Sequence, residues 1–324
     1  MTRDSDKPCL LVARELPRAV QERLAVSFNA RFNATDEPYG PDALIEAARG
    51  CDGLLVTPTE RMDAGVIARL PKRTRIIATF SVGYDHIDVA AAAKRGIVVT
   101  NTPGVLTDAT ADIAMLLLLG AARGAHWGER MVRENRWPVW TPTHPLGLDV
   151  TGRRLGVYGM GRIGRAVARR ARAFGMEIHY HNRERLPEAL EEGAVYHSTL
   201  EDLMPVSDFL SINCASTPQT RGTVNARTLA LLPAPAVLVN TARGDIVEDD
   251  ALIEALQSGR LAAAGLDVFA NEPGIDPRYR DIETLFALPH LGSATPATRE
   301  AMGMRAADNL EAFFAGGRPA DALS

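Results

Sequence analysis

The sequence predicts an α/β protein built from two parallel-sheet domains. Strand-like and helix-like segments alternate along nearly all of the 324 residues, which is typical of a parallel sheet with helices on both faces. Residues 154–175 have the pattern of a strand, a glycine turn and a helix in direct succession. A chain of this length also favours about two domains. Together these observations predict one α/β unit before the glycine turn and a second unit that contains it.

The glycine turn predicts a dinucleotide site. After the apolar run 155–158, Gly159, Gly161 and Gly164 stand in G-x-G-x-x-G spacing. The first glycine permits a sharp turn, the second lets a pyrophosphate approach the backbone, and the third lets the helix lie close to the strand. The start of the helix offers free N–H groups to the phosphates. A plain strand-to-helix turn is the alternative interpretation.

The composition describes an ordinary globular protein. Hydrophobic residues make up 46% and charged residues 23%, and the net charge of −4 gives no indication of a nucleic-acid surface. The polar start does not resemble a signal peptide, and the longest apolar run, 113–122, is too short to cross a bilayer. The three cysteines have no metal-ligand spacing and no obvious pairing. We therefore expect a cytoplasmic protein with no metal, no nucleic-acid partner and no membrane partner.

The first half of the chain contains four pairs of strand and helix patterns. The expected strands are 9–13, 53–56, 75–80 and 97–100, and the expected helices are 17–25, 41–50, 62–70 and 89–95. The sequence Thr102-Pro103-Gly104 then breaks the alternation. A long apolar helix is expected at 107–123, followed by an irregular, tryptophan-rich excursion at 124–150.

Alternation resumes at the glycine turn and continues almost to the end. The further strands expected are 177–181, 194–197, 209–214, 237–240, 264–268 and 285–288, and the further helices are 225–232, 250–258 and 295–314. These segments supply the strands of the second sheet.

The end of the strand 177–181 indicates which nicotinamide cofactor is bound. An NAD site would place an acid there for the ribose 2′-hydroxyl, but the chain has Asn182, followed by Arg183, Glu184 and Arg185. A guanidinium suits a 2′-phosphate better than a hydroxyl, so the sequence favours NADPH over NADH. Glu184 could instead serve as the acid, and the two arginines could be a solvated loop.

Three polar residues follow strand ends, where α/β sheets place their ligands. Arg243 could bind a carboxylate and polarise a neighbouring carbonyl, and His290 could protonate the carbonyl oxygen. Glu272 could orient His290 and favour its charged form. Singly, they could be a salt-bridge arginine, a helix-start acid and a core histidine. As a set they predict reduction of a carbonyl group.

Several longer segments resemble the D-isomer-specific 2-hydroxyacid dehydrogenases over nearly the whole chain. They are SVGYDHID (81–88), NTPGVLTDATAD (101–112), GMGRIG (159–164), NTARGDIVEDDAL (240–252), AGLDVFANEP (264–273) and LPHLGSAT (288–295). The segments GVLTDATAD and HNRER look most like the glyoxylate/hydroxypyruvate reductases that use NADPH. The resemblance implies a flavodoxin-like substrate domain, 1–101 with 292–324, and a Rossmann cofactor domain, 102–291, with the active site in the cleft between them.

The resemblance also implies roles for individual residues. Arg243, Glu272 and His290 match the catalytic set, and Arg243 and His290 would also contact substrate. Further substrate contacts are expected from Leu55, Val82 and Gly83, the last two through their backbone N–H groups. Cofactor contacts are expected from Thr107, Gly159, Gly161, Arg162, Ile163, Gly164, Asn182, Arg183, Arg185, Cys214, Thr220, Thr241, Ala242, Asp267, His290 and Gly292.

The expected protein is a homodimeric enzyme that reduces small 2-keto acids with NADPH. Trp140 resembles a tryptophan that one subunit inserts into its partner's active site, but it could equally be an interface anchor without substrate contact. Glyoxylate and hydroxypyruvate are the favoured substrates. The alternatives are a reductase of other keto acids, a phosphoglycerate, phosphoerythronate or phosphite dehydrogenase, and a nucleotide-sensing corepressor of the same fold.

Overall fold

The computed structural model describes residues 7–323, which divide into two compact units. The first unit contains residues up to Leu106 together with the segment that begins at Ala294. The second unit is Thr107–Ser293. The domain boundaries expected from the sequence, after residues 101 and 291, lie a few residues before these changes of unit.

The first unit is a five-stranded parallel sheet with the strand order β2-β1-β3-β4-β5. This is the flavodoxin-like order. Its elements are β1 Cys9–Val12, α1 Arg18–Ser27, β2 Asn29–Phe32, α2 Pro41–Ala47, β3 Gly53–Val56, α3 Ala64–Arg69, β4 Ile76–Thr79, α4 Val89–Lys94, β5 Val98–Thr100 and, at the end of the chain, α12 Pro296–Phe314. The edge strand β2 was not predicted from the sequence, because it alternates between exposed and half-buried positions and lacks a continuous apolar run.

Continuous burial of the central strands explains why their sequences are almost entirely apolar. All four residues of β1, β3 and β4 are buried. The last helix, α12, belongs to this unit, where buried Asn309 donates to the carbonyl of Asn101 at 3.2 Å. Arg23 of α1 also pairs with Glu311 of α12 at 2.5 Å. The first unit is therefore completed by a helix that follows the second unit in sequence.

The second unit is a seven-stranded parallel sheet with the order β12-β11-β10-β9-β6-β7-β8. Its elements are α5 Thr107–Arg123, α6 Ala125–Arg133, β6 Arg154–Tyr158, α7 Arg162–Ala173, β7 Glu177–His181, α8 Glu188–Glu191, β8 Val195–His197, α9 Leu200–Leu203, β9 Phe209–Ile212, α10 Ala226–Leu229, β10 Ala236–Asn240, α11 Asp249–Gln257, β11 Leu261–Leu266 and β12 Leu285–Ala287. The order reverses between β6 and β9, as in a Rossmann sheet. Both units confirm the predicted fold class.

The stretch predicted to be irregular, 124–150, contains the helix α6. Gly124, with φ of 61°, makes the turn between α5 and α6. None of the α6 residues is buried, and Arg133 pairs with Glu129 one turn earlier. The stretch was predicted to be irregular because it is rich in tryptophan, proline and charge, and the helix buries no residue that would give an apolar periodicity. Among residues 7–323, no helix is both long and apolar enough to cross a membrane.

Candidate active site

The glycine turn lies at the carboxyl end of β6, where the strand order reverses. Gly159 has φ of 99°, and a Cβ there would lie 2.4 Å from the backbone nitrogen of Cys214, which follows β9. A Cβ at Gly164 would lie 2.2 Å from the carbonyl oxygen of Gly159. These two glycines are required by a close approach within the protein itself, which packs the start of α7 against the turn.

Gly161 has a different environment. A Cβ at this position would meet no atom within 4 Å, and its φ of −75° is open to any residue. It also precedes α7, whose first turn has no side-chain cap. The space beside the helix start is therefore clear, and the N–H groups there can donate hydrogen bonds to an anion. Arg162 and Ile163 lie in this first turn of the helix.

A buried hydroxyl at the same edge of the sheet is available to hydrogen-bond a ligand. Thr241 follows β10, and its buried Oγ1 has no hydrogen-bond partner among the described residues. Asn182, after β7, accepts the N–H of Met160 through Oδ1 at 2.6 Å and so joins the second strand end to the glycine turn. The residues present thus fit a dinucleotide across β6, β7, β9 and β10.

The two arginines after β7 differ in their surroundings. Arg183 is exposed and has no hydrogen bond or ion pair within residues 7–323. Arg185 is engaged by Glu191 through two hydrogen bonds of 2.8 and 3.0 Å. From the sequence the two arginines were expected to be equivalent, but in the structure they have different partners.

The loop after β10 holds Arg243. Buried Asn240 ends the strand, donates to the carbonyl of Arg243 at 2.8 Å and accepts the N–H of Ala242 at 3.0 Å. A Cβ on Gly244 would lie 1.9 Å from the carbonyl carbon of Phe269, so this loop packs directly on the loop after β11. The contact requires glycine at position 244 and brings Arg243 towards Glu272.

Glu272 and His290 form the central pair. His290 donates through Nδ1 to Glu272 Oε2 at 2.6 Å, and Glu272 Oε1 accepts the N–H of Phe269 at 2.8 Å. Burial raises the pKa of Glu272, but the hydrogen bond and charge of His290, the Phe269 N–H and the charge of Arg243 lower it below its ordinary value. The carboxylate is therefore ionised at neutral pH, orients the imidazole ring and leaves Nε2 for proton transfer.

His290 stands on a left-handed turn held by Asp267. The φ of His290 is 55°, an uncommon conformation for a residue with a Cβ. Buried Asp267 accepts the N–H groups of Leu291 and Gly292 at 2.6 and 2.7 Å, and its own carbonyl accepts the N–H of His290 at 2.9 Å. Burial raises the pKa of Asp267, although these N–H groups oppose the effect. Both carboxylate oxygens thus fix the turn that presents the histidine.

Other predicted cofactor residues also lie in the second unit. Thr107 begins α5, and Ala242 belongs to the loop that carries Arg243. Burial raises the pKa of the Cys214 thiol to about 12, so this sulfur is not a thiolate. The hydroxyl of Thr220 donates to the carbonyl of Ala215 at 2.7 Å and is therefore engaged within its own turn. Gly292 accepts from Thr110 Oγ1 at 3.0 Å.

The predicted substrate residues Leu55, Val82 and Gly83 lie in the first unit. Leu55 is buried inside β3. The carbonyls of Val82 and Gly83 accept from Asn101 Nδ2 and Ser81 Oγ at 2.8 and 2.6 Å. Within residues 7–323, no acceptor is found for the N–H groups of Val82 and Gly83. This turn after β4 therefore offers two backbone donors to an anion.

Several residues that support the site were not predicted from the sequence. Asn240, Gly244 and Glu191 had no expected role, and Asp267 was expected only to contact the cofactor. An asparagine at the end of an apolar strand and an acid after the next strand were visible signals for Asn240 and Asp267. Gly244 packs against Phe269, 25 positions later, and Glu191 bonds to Arg185 and Tyr180, 6 and 11 positions earlier, across an irregular loop, so no helix or strand periodicity indicated these contacts.

Known proteins resemble this chain in sequence and in fold. Residues 115–292 match the family model described as D-isomer specific 2-hydroxyacid dehydrogenase, NAD binding domain. A glycerate dehydrogenase from Hyphomicrobium methylovorum is 43% identical over 98% of this chain and 99% of its own. A glyoxylate reductase from Korarchaeum cryptofilum is 43% identical over 97% of this chain and 95% of its own.

A solved structure is similar over the same length. The NADPH-dependent glyoxylate/hydroxypyruvate reductase from Sinorhizobium meliloti, in complex with NADP and malonate, has a TM-score of 0.89 and 38% identity, covering 98% of this chain and 97% of that one. Fold, site and relatives together define an oxidoreductase with a nicotinamide-dinucleotide domain. The chain belongs to the D-isomer-specific 2-hydroxyacid dehydrogenase family. The resemblance and the enzyme class are thus confirmed.

Proposed function

We propose that the protein reduces small 2-keto acids, chiefly glyoxylate and hydroxypyruvate, to glycolate and D-glycerate, with NADPH as the preferred cofactor. The observation that carries this proposal is the 2.6 Å contact between His290 Nδ1 and Glu272 Oε2. The positive charge of Arg243 also lowers the pKa of this carboxylate. The names glyoxylate reductase and glycerate dehydrogenase among the relatives support the substrates. In both reductions a hydride is added to a carbonyl carbon beside a carboxylate.

The side chains divide the reaction between them. When bound, a nicotinamide dinucleotide supplies the hydride that the keto carbon receives. Arg243 donates to the substrate carboxylate and polarises the keto oxygen. His290 transfers its Nε2 proton to that oxygen as the C=O bond becomes a C–OH group. Glu272 stabilises the imidazolium form that this step requires and holds the ring through Nδ1.

The turn after β4 supports an acidic substrate. The N–H groups of Val82 and Gly83 are a pair of backbone donors within one short loop of the first unit. Such a pair binds anions through charge-assisted hydrogen bonds. We assign it to the carboxylate of the substrate.

The preference for NADPH is supported by the residues after β7. Asn182 replaces the acid that would bind a ribose 2′-hydroxyl, and its Oδ1 is already used by Met160. Arg183 is exposed beside it and suits a 2′-phosphate. The NADPH-dependent relative from Sinorhizobium meliloti supports the same choice. NADH remains the second cofactor to test.

We also propose a homodimer in the cytoplasm. Large apolar side chains between α6 and β6 are exposed in the single chain, which suits a protein interface. The cysteines Cys9, Cys51 and Cys214 are free thiols, which suits a reducing compartment.

A panel of keto acids assayed with both cofactors tests the function. Initial rates of reduced-nicotinamide oxidation are measured with glyoxylate, hydroxypyruvate, pyruvate and a phosphorylated keto acid. We expect the highest kcat/KM for glyoxylate or hydroxypyruvate with NADPH. If only the phosphorylated acid is reduced, the proposed substrates are wrong and the substrate is a phosphorylated keto acid. Tight cofactor binding without turnover of any acid would favour the nucleotide-sensing alternative.

A further inference from the structure

The loop that follows β7 contains two arginines, and only one has its donors occupied by the protein. Arg185 donates from Nε to Glu191 Oε1 at 2.8 Å and from a terminal nitrogen to Glu191 Oε2 at 3.0 Å. Its guanidinium carbon also lies 6.0 Å from the centre of the Tyr196 ring. The planar fork is thus paired in a bidentate manner, the arrangement in which arginine binds carboxylates most strongly.

Glu191 explains why Arg185 stays in place. Its side chain is only 6% exposed, and Tyr180 donates its hydroxyl to Glu191 Oε1 at 2.5 Å. The same tyrosine oxygen accepts the N–H of Leu186 at 3.0 Å. Arg185 first, and Tyr180 second, lower the pKa of Glu191 to about 2, so the carboxylate is ionised throughout the neutral range. If Arg185 turned away to a phosphate, a buried anion would lose its cation.

Arg183 has the opposite environment. It is exposed, and no ion pair or hydrogen bond to it exists within residues 7–323. It stands directly after Asn182, whose Oδ1 holds the Met160 N–H of the glycine turn at 2.6 Å. Among the described residues, Arg183 therefore has an unpaired guanidinium, and it also lies next to Asn182, which is hydrogen-bonded to the glycine turn. No internal contact would have to be broken for Arg183 to bind a phosphate.

We propose that Arg183 is the residue that binds a ribose 2′-phosphate, whereas Arg185, with the buried side chains of Glu191 and Tyr180, forms a clamp that fixes the loop and makes no phosphate contact. This inference rests on the proposed preference for NADPH. It assigns different roles to two arginines that the sequence alone does not distinguish. Arg183 determines cofactor specificity, and Arg185 stabilises the loop.

The test compares Arg183→Ala with Arg185→Ala, a matched pair of substitutions two positions apart. The affinities for adenosine 2′,5′-bisphosphate and for 5′-AMP are measured by titration calorimetry, and Tm is measured without ligand. For Arg183→Ala we expect the affinity for the bisphosphate to fall about 10- to 100-fold, as for loss of one charged hydrogen-bonding group, with 5′-AMP affinity and Tm unchanged. For Arg185→Ala we expect a lower Tm and an unchanged ratio of the two affinities.

A third variant covers the case in which Arg185→Ala fails to fold. Arg185→Lys keeps a cation beside Glu191 but removes the planar fork, and its affinity ratio should equal that of the wild type. The inference is overturned if either substitution of Arg185 lowers the ratio as much as Arg183→Ala does, or if Arg183→Ala leaves it unchanged. A wild-type ratio near one would refute the NADPH preference and this inference together. A high, Arg183-dependent ratio in a protein that reduces no keto acid would refute only the proposed reaction.

Discussion

At the scale of single residues, the candidate chemistry depends on two side chains that touch. Glu272 and His290 are separated by 18 positions in the sequence and by 2.6 Å between Oε2 and Nδ1. The depressed pKa of Glu272 arises because His290, the Phe269 N–H and Arg243 together outweigh the effect of burial. This coupling is stabilising above the ordinary pKa of a glutamate and is lost as the pH falls through the lowered value. The pair should therefore be intact at neutral pH.

Replacing the histidine tests its role as proton donor. We expect His290→Ala to lower kcat for glyoxylate reduction by about 10²- to 10⁴-fold, because no other group would protonate the keto oxygen. Binding of NADPH should persist, since the glycine turn and Arg183 are untouched. Steady-state rates and calorimetric titration measure the two quantities. Near-normal turnover in this variant would contradict the assignment.

Replacing the carboxylate tests the coupling. Glu272→Gln preserves the shape of the side chain but removes the charge that favours the imidazolium form. We expect the alkaline limb of the pH profile of kcat/KM for reduction to move to lower pH by about one unit, the size of shift that one neighbouring charge causes. A profile displaced only in height, with both limbs in place, would mean that Glu272 acts solely by positioning the ring.

At the scale of elements, local sequence patterns predicted most strands because the central ones are apolar from end to end. They failed where burial is partial, as in the edge strand β2, or absent, as in the exposed helix α6. The same limit applies to the site. Arg243, Glu272 and His290 could be named from strand ends, but the clamp of Glu191 on Arg185 depends on side chains that meet only in the folded chain. Pairings of that kind leave no periodic signal in a sequence.

Two substitutions in the glycine turn test its roles in ligand binding and in folding separately. Gly161→Ala adds a methyl group that meets no protein atom within 4 Å, so the free energy of unfolding should change by less than about 0.5 kcal/mol while NADPH affinity falls. Gly159→Ala combines φ of 99° with a contact of 2.4 Å and should lose more than about 2 kcal/mol. Urea denaturation and calorimetric titration of both variants measure these effects. A stable Gly161→Ala protein with full NADPH affinity would show that the turn does not approach the pyrophosphate.

At the scale of the whole molecule, one exposed apolar segment of the chain indicates a protein–protein interface. Trp137, Val139, Trp140 and Leu146 lie within ten residues of chain and are between 58% and 73% exposed. Single exposed apolar residues are common, but a cluster that includes two tryptophans marks an interaction surface. A second copy of the chain is the partner we propose.

Sedimentation analysis tests the dimer and the role of Trp140 together. The wild type should have about twice the chain mass of 34.9 kDa, and the double variant Trp137→Ser with Trp140→Ser should dissociate, because buried aromatic residues dominate interface energies. Val26→Ser, which alters an equally exposed apolar residue in α1, is the control and should leave the mass unchanged. A double variant that stays dimeric would place the interface elsewhere.

If Trp140→Ala alone keeps the dimer but raises KM for the keto acid, the tryptophan contacts substrate. If it weakens the dimer and leaves KM unchanged at saturating protein concentration, the tryptophan is an interface anchor.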